Sequence, residues 1–192
     1  MLNKKLVILC GPSGSGKTTV SHFLLKQIPE LAFSISATTR APRNNEVHNK
    51  DYYFIPTDDF IRKLASDSFV EFEEVYSGTF YGTLKTELER IWDEGKVPLL
   101  DIDVLGALNI KEKYAPNSLA VFVHPVNLEN IKTRLIQRAT ESNESFEKRL
   151  TRAVEELNMC DLFDEVVYND SLPNACNETL TLVKDYLQKP KR

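Results

Sequence analysis

The chain has 192 residues, room for one core and perhaps an inserted subdomain, and its composition, 42% hydrophobic and 27% charged, is that of an ordinary globular protein. A net charge of −4 argues against a broad nucleic-acid-binding surface, and no apolar run approaches the roughly 20 residues a membrane span needs. Cys10, Cys160 and Cys176 lie far apart, fit neither a zinc site nor a disulfide framework, and read as free thiols suited to a reducing cytoplasm.

The first predicted strand is Leu6 to Cys10, apolar and β-branched enough to be buried and parallel. Gly11-Pro12-Ser13-Gly14-Ser15-Gly16-Lys17-Thr18 follows and fits the phosphate-binding loop pattern G-x-x-x-x-G-K-[ST]. A helix from about Lys17 to Gln27 comes next and ends before Pro29. Strand, glycine turn and helix together give the pattern a mechanism. The backbone N–H groups turn inward toward an anion, and the helix N-terminus adds partial positive charge. Lys17 then reaches the β/γ-phosphates of a nucleoside triphosphate, and the Thr18 hydroxyl suits Mg²⁺.

Phe33 to Ser36 alternates apolar and small residues and is expected to be a short strand. Residues 37–50 are long, polar and almost without core-forming side chains, which marks a functional loop. Asp51 to Ile55 returns to strand character, and Thr57 is the expected N-cap of a helix to Ala65 with Asp58 and Asp59 in its first turn. Phe69 to Val75 alternates again, so Glu71 and Glu73 are expected on one face with Phe69. After a turn at Ser77-Gly78 and the segment Phe80-Tyr81-Gly82, Thr83 is expected to cap a helix that stops at Gly95.

Val97 to Asp101 is an apolar run ending in an acid, the arrangement of a strand that delivers a carboxylate beside the Mg²⁺ site. Asp103 follows two residues on, ahead of a helix to about Lys113. Leu119 to Val123 is another buried strand, and Asn127 caps a helix carrying Arg134 and Arg138. A polar stretch at 140–144, a helix from Phe146 to Met159, a last strand from Glu165 to Asn169 and a helix from Pro173 to Leu187 complete the chain. Strands alternating with helices predict a parallel α/β sheet covered on both faces, with the segment from about 33 to 82 as an α+β insertion at its carboxyl end.

The insertion carries the groups a second phosphate would need. Arg40 and Arg43 flank Pro42, and Tyr52 and Tyr81 lie in the same module, giving two guanidinium forks and two phenols. Glu71 sits among aromatics, where a carboxylate can accept from the N1–H and 2-amino group of guanine. Adenine would leave it unpaired, and such mismatches discriminate strongly. Ser36 and Thr83 could serve guanine O6, and Asp103 could add an acceptor.

These residues resemble the guanylate kinase family. The resemblance rests on Ser36-Ala37-Thr38-Thr39-Arg40-Ala41-Pro42-Arg43, Glu46, Asp51-Tyr52, Tyr81-Gly82-Thr83, Leu100-Asp101-Ile102-Asp103 and Asn169-Asp170, and it spans essentially the whole chain. It implies a P-loop three-layer α/β core over residues 1–32 and 84–192, with a helical lid at about 134–149. It also implies an inserted α+β GMP-binding subdomain over 33–83. The implied reaction is Mg²⁺-dependent transfer of the γ-phosphate of ATP to GMP, and to dGMP, in purine metabolism. In that scheme the loop from Gly11 through Thr19, with Asn169, holds ATP. Ser36, Arg40, Arg43, Tyr52, Glu71, Tyr81, Thr83 and Asp103 hold GMP. Thr18 and Asp101 serve the metal, and Lys17, Arg40, Arg134, Arg138 and Arg149 neutralise the transferring group. No protein or membrane partner is implied.

The chain departs from the family pattern at three places. Asn45 and Asn49 replace glycines, Gln137-Arg138-Ala139 replaces Gly-Arg-Gly in the lid, and Leu105 replaces a common Gln. Asn tolerates positive φ next best after glycine. Two other functions are open to a chain with this loop: a phosphopeptide-binding module that has lost catalysis, and a kinase for another nucleotide or a sugar phosphate. The intact Lys17-Thr18 pair and Asp101 oppose the first, and Glu71, Thr83 and Asp103 oppose the second.

Overall fold

The computed structural model describes residues 4–43, 46–76, 78–127, 129, 131–132 and 143–189. In chain order the elements are β1 (Leu6–Cys10), α1 (Lys17–Gln27), β2 (Leu31–Phe33), β3 (Ala37–Thr38), β4 (Tyr53–Phe54) and α2 (Thr57–Ala65). They continue with β5 (Phe69–Tyr76), β6 (Thr79–Leu84), α3 (Lys85–Asp93), β7 (Val97–Asp101), α4 (Val104–Tyr114) and β8 (Ser118–His124). The last three are α5 (Asn143–Leu157), β9 (Glu165–Tyr168) and α6 (Leu172–Gln188).

Five strands form a parallel sheet in the order β2-β7-β1-β8-β9. Successive side chains of a strand face opposite ways, and every residue of β1 is buried, so this strand supplies both cores. Leu6, Ile8 and Cys10 pack with Leu100, Phe122 and the α3 and α4 residues Leu88, Trp92, Ala107 and Ile110. Val7 and Leu9 pack on the other face with Leu99, Val121 and the α1 and α6 residues Val20, Leu24, Ala175 and Val183. The result is the expected three-layer α/β arrangement. Lys5 ties its ends together: its buried ammonium donates to the carbonyls of Tyr186, Leu187 and Lys189 at 3.0, 3.1 and 2.8 Å, where the end of α6 has acceptors without intrahelical partners.

The chain leaves β1 toward β2 on one side and later returns to β8 on the other. The crevice at the carboxyl end of β1 is therefore a switch point of the sheet, the usual ligand position in open α/β folds.

A second sheet, in the order β4-β3-β6-β5, stands at that end of the molecule. It has its own small core, in which Phe60 of α2 stacks on Phe69 and Phe80 with centroids 4.4 and 5.4 Å apart. Glu87 of α3 fastens it to the main body: this buried carboxylate accepts from the Ile35 N–H at 3.0 Å and the Tyr53 hydroxyl at 2.9 Å.

Several local expectations are corrected. The strand predicted over 33–36 lies at Leu31–Phe33 in the main sheet, where Phe33 pairs with Leu99, and 34–36 cross to the second sheet. Strand β4 is only two residues long. Neither predicted threonine cap forms: α2 has Pro56 at its cap position with Thr57 as first helical residue, and α3 starts after Leu84. Thr83 instead belongs to β6. A register shift between Phe69 and Glu71 separates side chains expected on one face. Phe69 enters the small core with Phe80 and Leu84, while Glu71 and Glu73 pair with Thr83 and Tyr81. Among the three cysteines Cys10 and Cys176 are buried, and all three are free. Asn127 Oδ1 accepts from the Glu129 N–H at 2.8 Å, the contact an N-cap makes, while residues 133–142 of the helix expected beyond it lie outside the described residues.

Candidate active site

A cavity of about 610 Å³ lies between the two sheets and joins the phosphate-binding loop to the strands of the insertion. At one end Gly11 leaves β1 with φ +136°, and a Cβ there would come within 2.5 Å of the Val123 carbonyl oxygen. Only glycine lets the loop pass this close to β8. Gly16, also left-handed, precedes α1, whose first turn has neither a side-chain cap nor an acidic residue, so its amides are available to an anion. Lys17 folds over its own loop and donates to the Gly11 and Pro12 carbonyls at 2.6 and 3.1 Å. Ser13, Gly14, Gly16, Lys17, Thr18 and Thr19 line this end. Ser15 is buried behind it.

The Thr18 hydroxyl donates to Asp101 Oδ2 at 2.8 Å. A hydroxyl and a carboxylate side by side beside the phosphate loop are hard oxygen donors, the kind a Mg²⁺ takes in small number while keeping its waters. Asn169 is 3% exposed, and its amide donates to the Ser15 carbonyl at 2.7 Å. It holds the back of the loop and does not line the cavity.

At the other end Arg40 is the centre of a polar cluster. Its Nη1 and Nη2 donate to the two oxygens of Glu46 at 2.5 and 2.7 Å, its Nε donates to the Tyr81 hydroxyl at 2.9 Å, and its guanidinium stacks 4.9 Å from the Tyr52 ring centroid. The fork is thus fixed in orientation, as bidentate pairing favours. The hydrogen bonds from Arg40 hold the Glu46 carboxyl below its ordinary range, despite partial burial. Burial pushes Tyr52 up to about 12, so its hydroxyl stays a donor. Arg43 is half exposed at the rim, and its backbone N–H also donates to Glu46 at 2.8 Å. Asn49, in the same loop, has φ 66°, the left-handed conformation that its place in a glycine position requires.

Between the two ends lies a carboxylate pair. Glu71 is 7% exposed, and its Oε1 accepts from both the backbone N–H and the hydroxyl of Thr83, at 3.0 and 2.7 Å. Burial, reinforced by the nearby Asp103, raises its pKa to about 7 although Thr83 pulls the other way. Gly106 makes room for it: a Cβ there would lie 2.7 Å from Glu71 Oε2. Asp103 caps α4, its Oδ1 accepting from the Gly106 N–H at 3.0 Å. Ser36 lines the cavity nearby, whereas Thr83 is fully buried and acts behind Glu71.

The family model for guanylate kinase matches residues 3–189. The chain belongs to the guanylate kinase family. It is 42% identical over 183 residues to the guanylate kinase of Bacteroides fragilis, covering 95% of this chain and 90% of that one. It is 43% identical over 187 residues to that of Salinibacter ruber, covering 97% and 99%. A crystal structure of guanylate kinase from Anaplasma phagocytophilum superposes with a TM-score of 0.80 at 28% identity, covering 98% of this chain and 89% of that one. Like its relatives, the chain is a nucleotide-binding kinase.

Of the residues the guanylate kinase resemblance singled out, the cavity gathers the phosphate loop apart from Pro12 and Ser15, with Ser36, Arg40, Arg43, Tyr52, Glu71, Tyr81, Asp101, Asp103 and Arg149. Thr83 and Asn169 stand one layer behind. Arg134 and Arg138 lie outside the described residues. Val75, Thr79, Arg152 and Glu156 also line the cavity without having been singled out from the sequence, and the two charged ones belong to α5. Arg152 and Glu156 of α5 line it with Arg149, and Arg152 Nε donates to Glu156 Oε1 at 2.8 Å. Burial raises the Glu156 pKa, against the pull of Arg152. Residues 149, 152, 153 and 156 form one helical stripe of i, i+3, i+4 spacing, which was the signal available. No described helix is long and apolar enough to cross a membrane.

Proposed function

We propose that this chain transfers the γ-phosphate of ATP to GMP, and to dGMP, giving ADP and the diphosphate. The observation that carries the reading is a single cavity with a phosphate loop at one end, an arginine–tyrosine cradle at the other and the buried Glu71 between them. In this reading the loop amides and Lys17 bind the ATP phosphates, and Lys17 exchanges the Gly11 and Pro12 carbonyls for phosphate oxygens. Thr18 and Asp101 would hold Mg²⁺, which supplies charge neutralisation at the β- and γ-phosphates. Asn169 keeps the loop in shape through Ser15.

Arg40, Arg43, Tyr52 and Tyr81 hold the GMP phosphate. Glu71 and Asp103 accept from the N1–H and 2-amino group of guanine, with Ser36 beside them and Thr83 orienting Glu71. An oxygen of the GMP phosphate attacks the γ-phosphorus in line, and the bond to the β,γ-bridging oxygen breaks as ADP leaves. That oxygen is already anionic, so the reaction needs no general base. The obstacle is repulsion between two polyanions, met by Lys17, Arg40, Arg43 and Arg149, with Arg134 and Arg138 from the lid. Closure of residues 134–149 over the core formed by 1–32 and 84–192 and the 33–83 subdomain excludes water. The free thiols suit a reducing cytoplasm.

Arg43→Ala tests the division of labour, because Arg43 is exposed at the rim and its side chain carries little of the fold. One charge-assisted contact to phosphate is worth about 1.5–3 kcal/mol, so kcat/KM for GMP is expected to fall roughly 10- to 150-fold. KM for ATP stays within about twofold. Unchanged kcat/KM for GMP counts against the cradle.

A further inference from the structure

The chemistry of Arg152 is unused by the scheme above. Its guanidinium meets three elements at once. Nε donates to Glu156 on its own helix at 2.8 Å, Nη1 donates to the Val75 carbonyl at the end of β5 at 2.9 Å, and Nη2 lies 3.8 Å from Asp103 Oδ1. The last separation is an ion pair too long for a hydrogen bond. Its side chain is 22% exposed, and that of Asp103 is 21% exposed, so the pair is partly shielded from water.

Each partner has a place in the site. β5 carries Glu71, Asp103 is the second carboxylate facing the acceptor base, and α5 carries Arg149 one turn before Arg152. The Arg152 fork spans the Val75 carbonyl and the Asp103 carboxylate, and it fixes the distance between β5 and α5 as a point charge could not.

We propose that Arg152 is a positioning residue for guanine selection, holding the Asp103 carboxylate and strand β5 against helix α5. This rests on the proposed acceptor being GMP. Guanine and hypoxanthine differ at the 2-amino group, so selection by the carboxylate pair is read as the ratio of kcat/KM for GMP to that for inosine 5′-monophosphate. A site built to pair a donor loses discrimination when its acceptor is displaced.

The experiment compares Arg152→Gln and Arg152→Lys with the parent chain on both acceptors. In Arg152→Gln, KM for GMP rises about tenfold, the size of one lost charged contact, while KM for ATP changes less than about twofold. The GMP-to-inosine monophosphate ratio falls by a similar factor in Arg152→Gln and by less in Arg152→Lys. The double variant Arg152→Gln/Asp103→Asn selects no more weakly than Asp103→Asn alone, because residues acting through one another are not additive. A purely structural role lowers both acceptors by one factor and leaves the ratio unchanged, which overturns the proposal, as does a multiplicative double variant. Should Arg152→Gln fail to fold, the ratio in Arg152→Lys decides alone: a drop supports the proposal and the parental ratio sinks it. A parent chain that phosphorylates neither acceptor refutes the function proposed above instead.

Discussion

Replacing Gly106 by alanine sets two effects of opposite sign against each other. Gly106 is the third residue of α4, where alanine is normally favoured by about 1 kcal/mol. The added Cβ, however, would stand 2.7 Å from Glu71 Oε2 and 3.2 Å from its carboxyl carbon. The carboxylate cannot simply swing away, because Oε1 is held by two Thr83 donors at 3.0 and 2.7 Å. Retreat costs at least one hydrogen bond to a buried carboxylate, about 1.5–3 kcal/mol, which exceeds the helix gain. Much of that loss falls on the group proposed to read guanine, so KM for GMP is expected to rise roughly 10- to 100-fold. The phosphate loop is untouched, and KM for ATP stays within about twofold. Steady-state ADP release at varied GMP and varied ATP, with a melting curve to show folding, measures all three. A folded Gly106→Ala chain with the parental KM for GMP refutes the tight fit between α4 and Glu71.

Three further outcomes follow, two from Glu71 and one from Lys5. Burial raises the Glu71 pKa to about 7, and in the proposed role it must be ionised to accept from guanine, so kcat/KM for GMP is expected to rise between about pH 6 and 8, while Glu71→Gln is slower and lacks that limb. The GMP phosphate itself titrates near 6, so a limb that survives in Glu71→Gln assigns it to substrate. The same shift acts on stability: the folded pKa exceeds the unfolded one, so its stabilising contribution is full below about 4.5 and lost as pH rises through 7. Glu71→Gln therefore gains Tm relative to the parent between pH 5 and 8, and a constant difference refutes the shift. Lys5→Met removes three carbonyl contacts at the end of α6 and is expected to cost about 2–3 kcal/mol. At this size that is a fall in Tm of about 4–12 °C by calorimetry, with kinetics at 25 °C unchanged, and an unaltered Tm removes the clasp from the account.

The parallel core was legible because its strands are buried on both faces and read as apolar runs: β1 and β7 have the bounds expected of them. The insertion was less legible because long-range partners decide its local geometry. Thr83 has a capping residue's chemistry, but its hydroxyl is committed to Glu71 across the β5–β6 pair. The register shift after Phe69 leaves no mark in the alternation of apolar and polar residues, yet it decides that Glu71 faces the cavity. The residue types of the site were readable, since a phosphate loop, paired arginines and an acid among aromatics have few other uses together. Their connections were not. Nothing local shows that Glu46 would take both nitrogens of Arg40, that Asn169 would reach the loop through Ser15, or that Arg152 would join α5 to β5.

The central claim is that one cavity holds a nucleoside triphosphate and selects guanine in its acceptor. ADP release with ATP as donor, measured in parallel with GMP, dGMP, AMP, UMP and ribose 5-phosphate, tests it most directly. The account predicts turnover with GMP and dGMP and kcat/KM for AMP lower by about two orders of magnitude or more, since adenine leaves a buried carboxylate unpaired. Equal rates with AMP and GMP, or no ADP release above the acceptor-free rate with any of them, would contradict it.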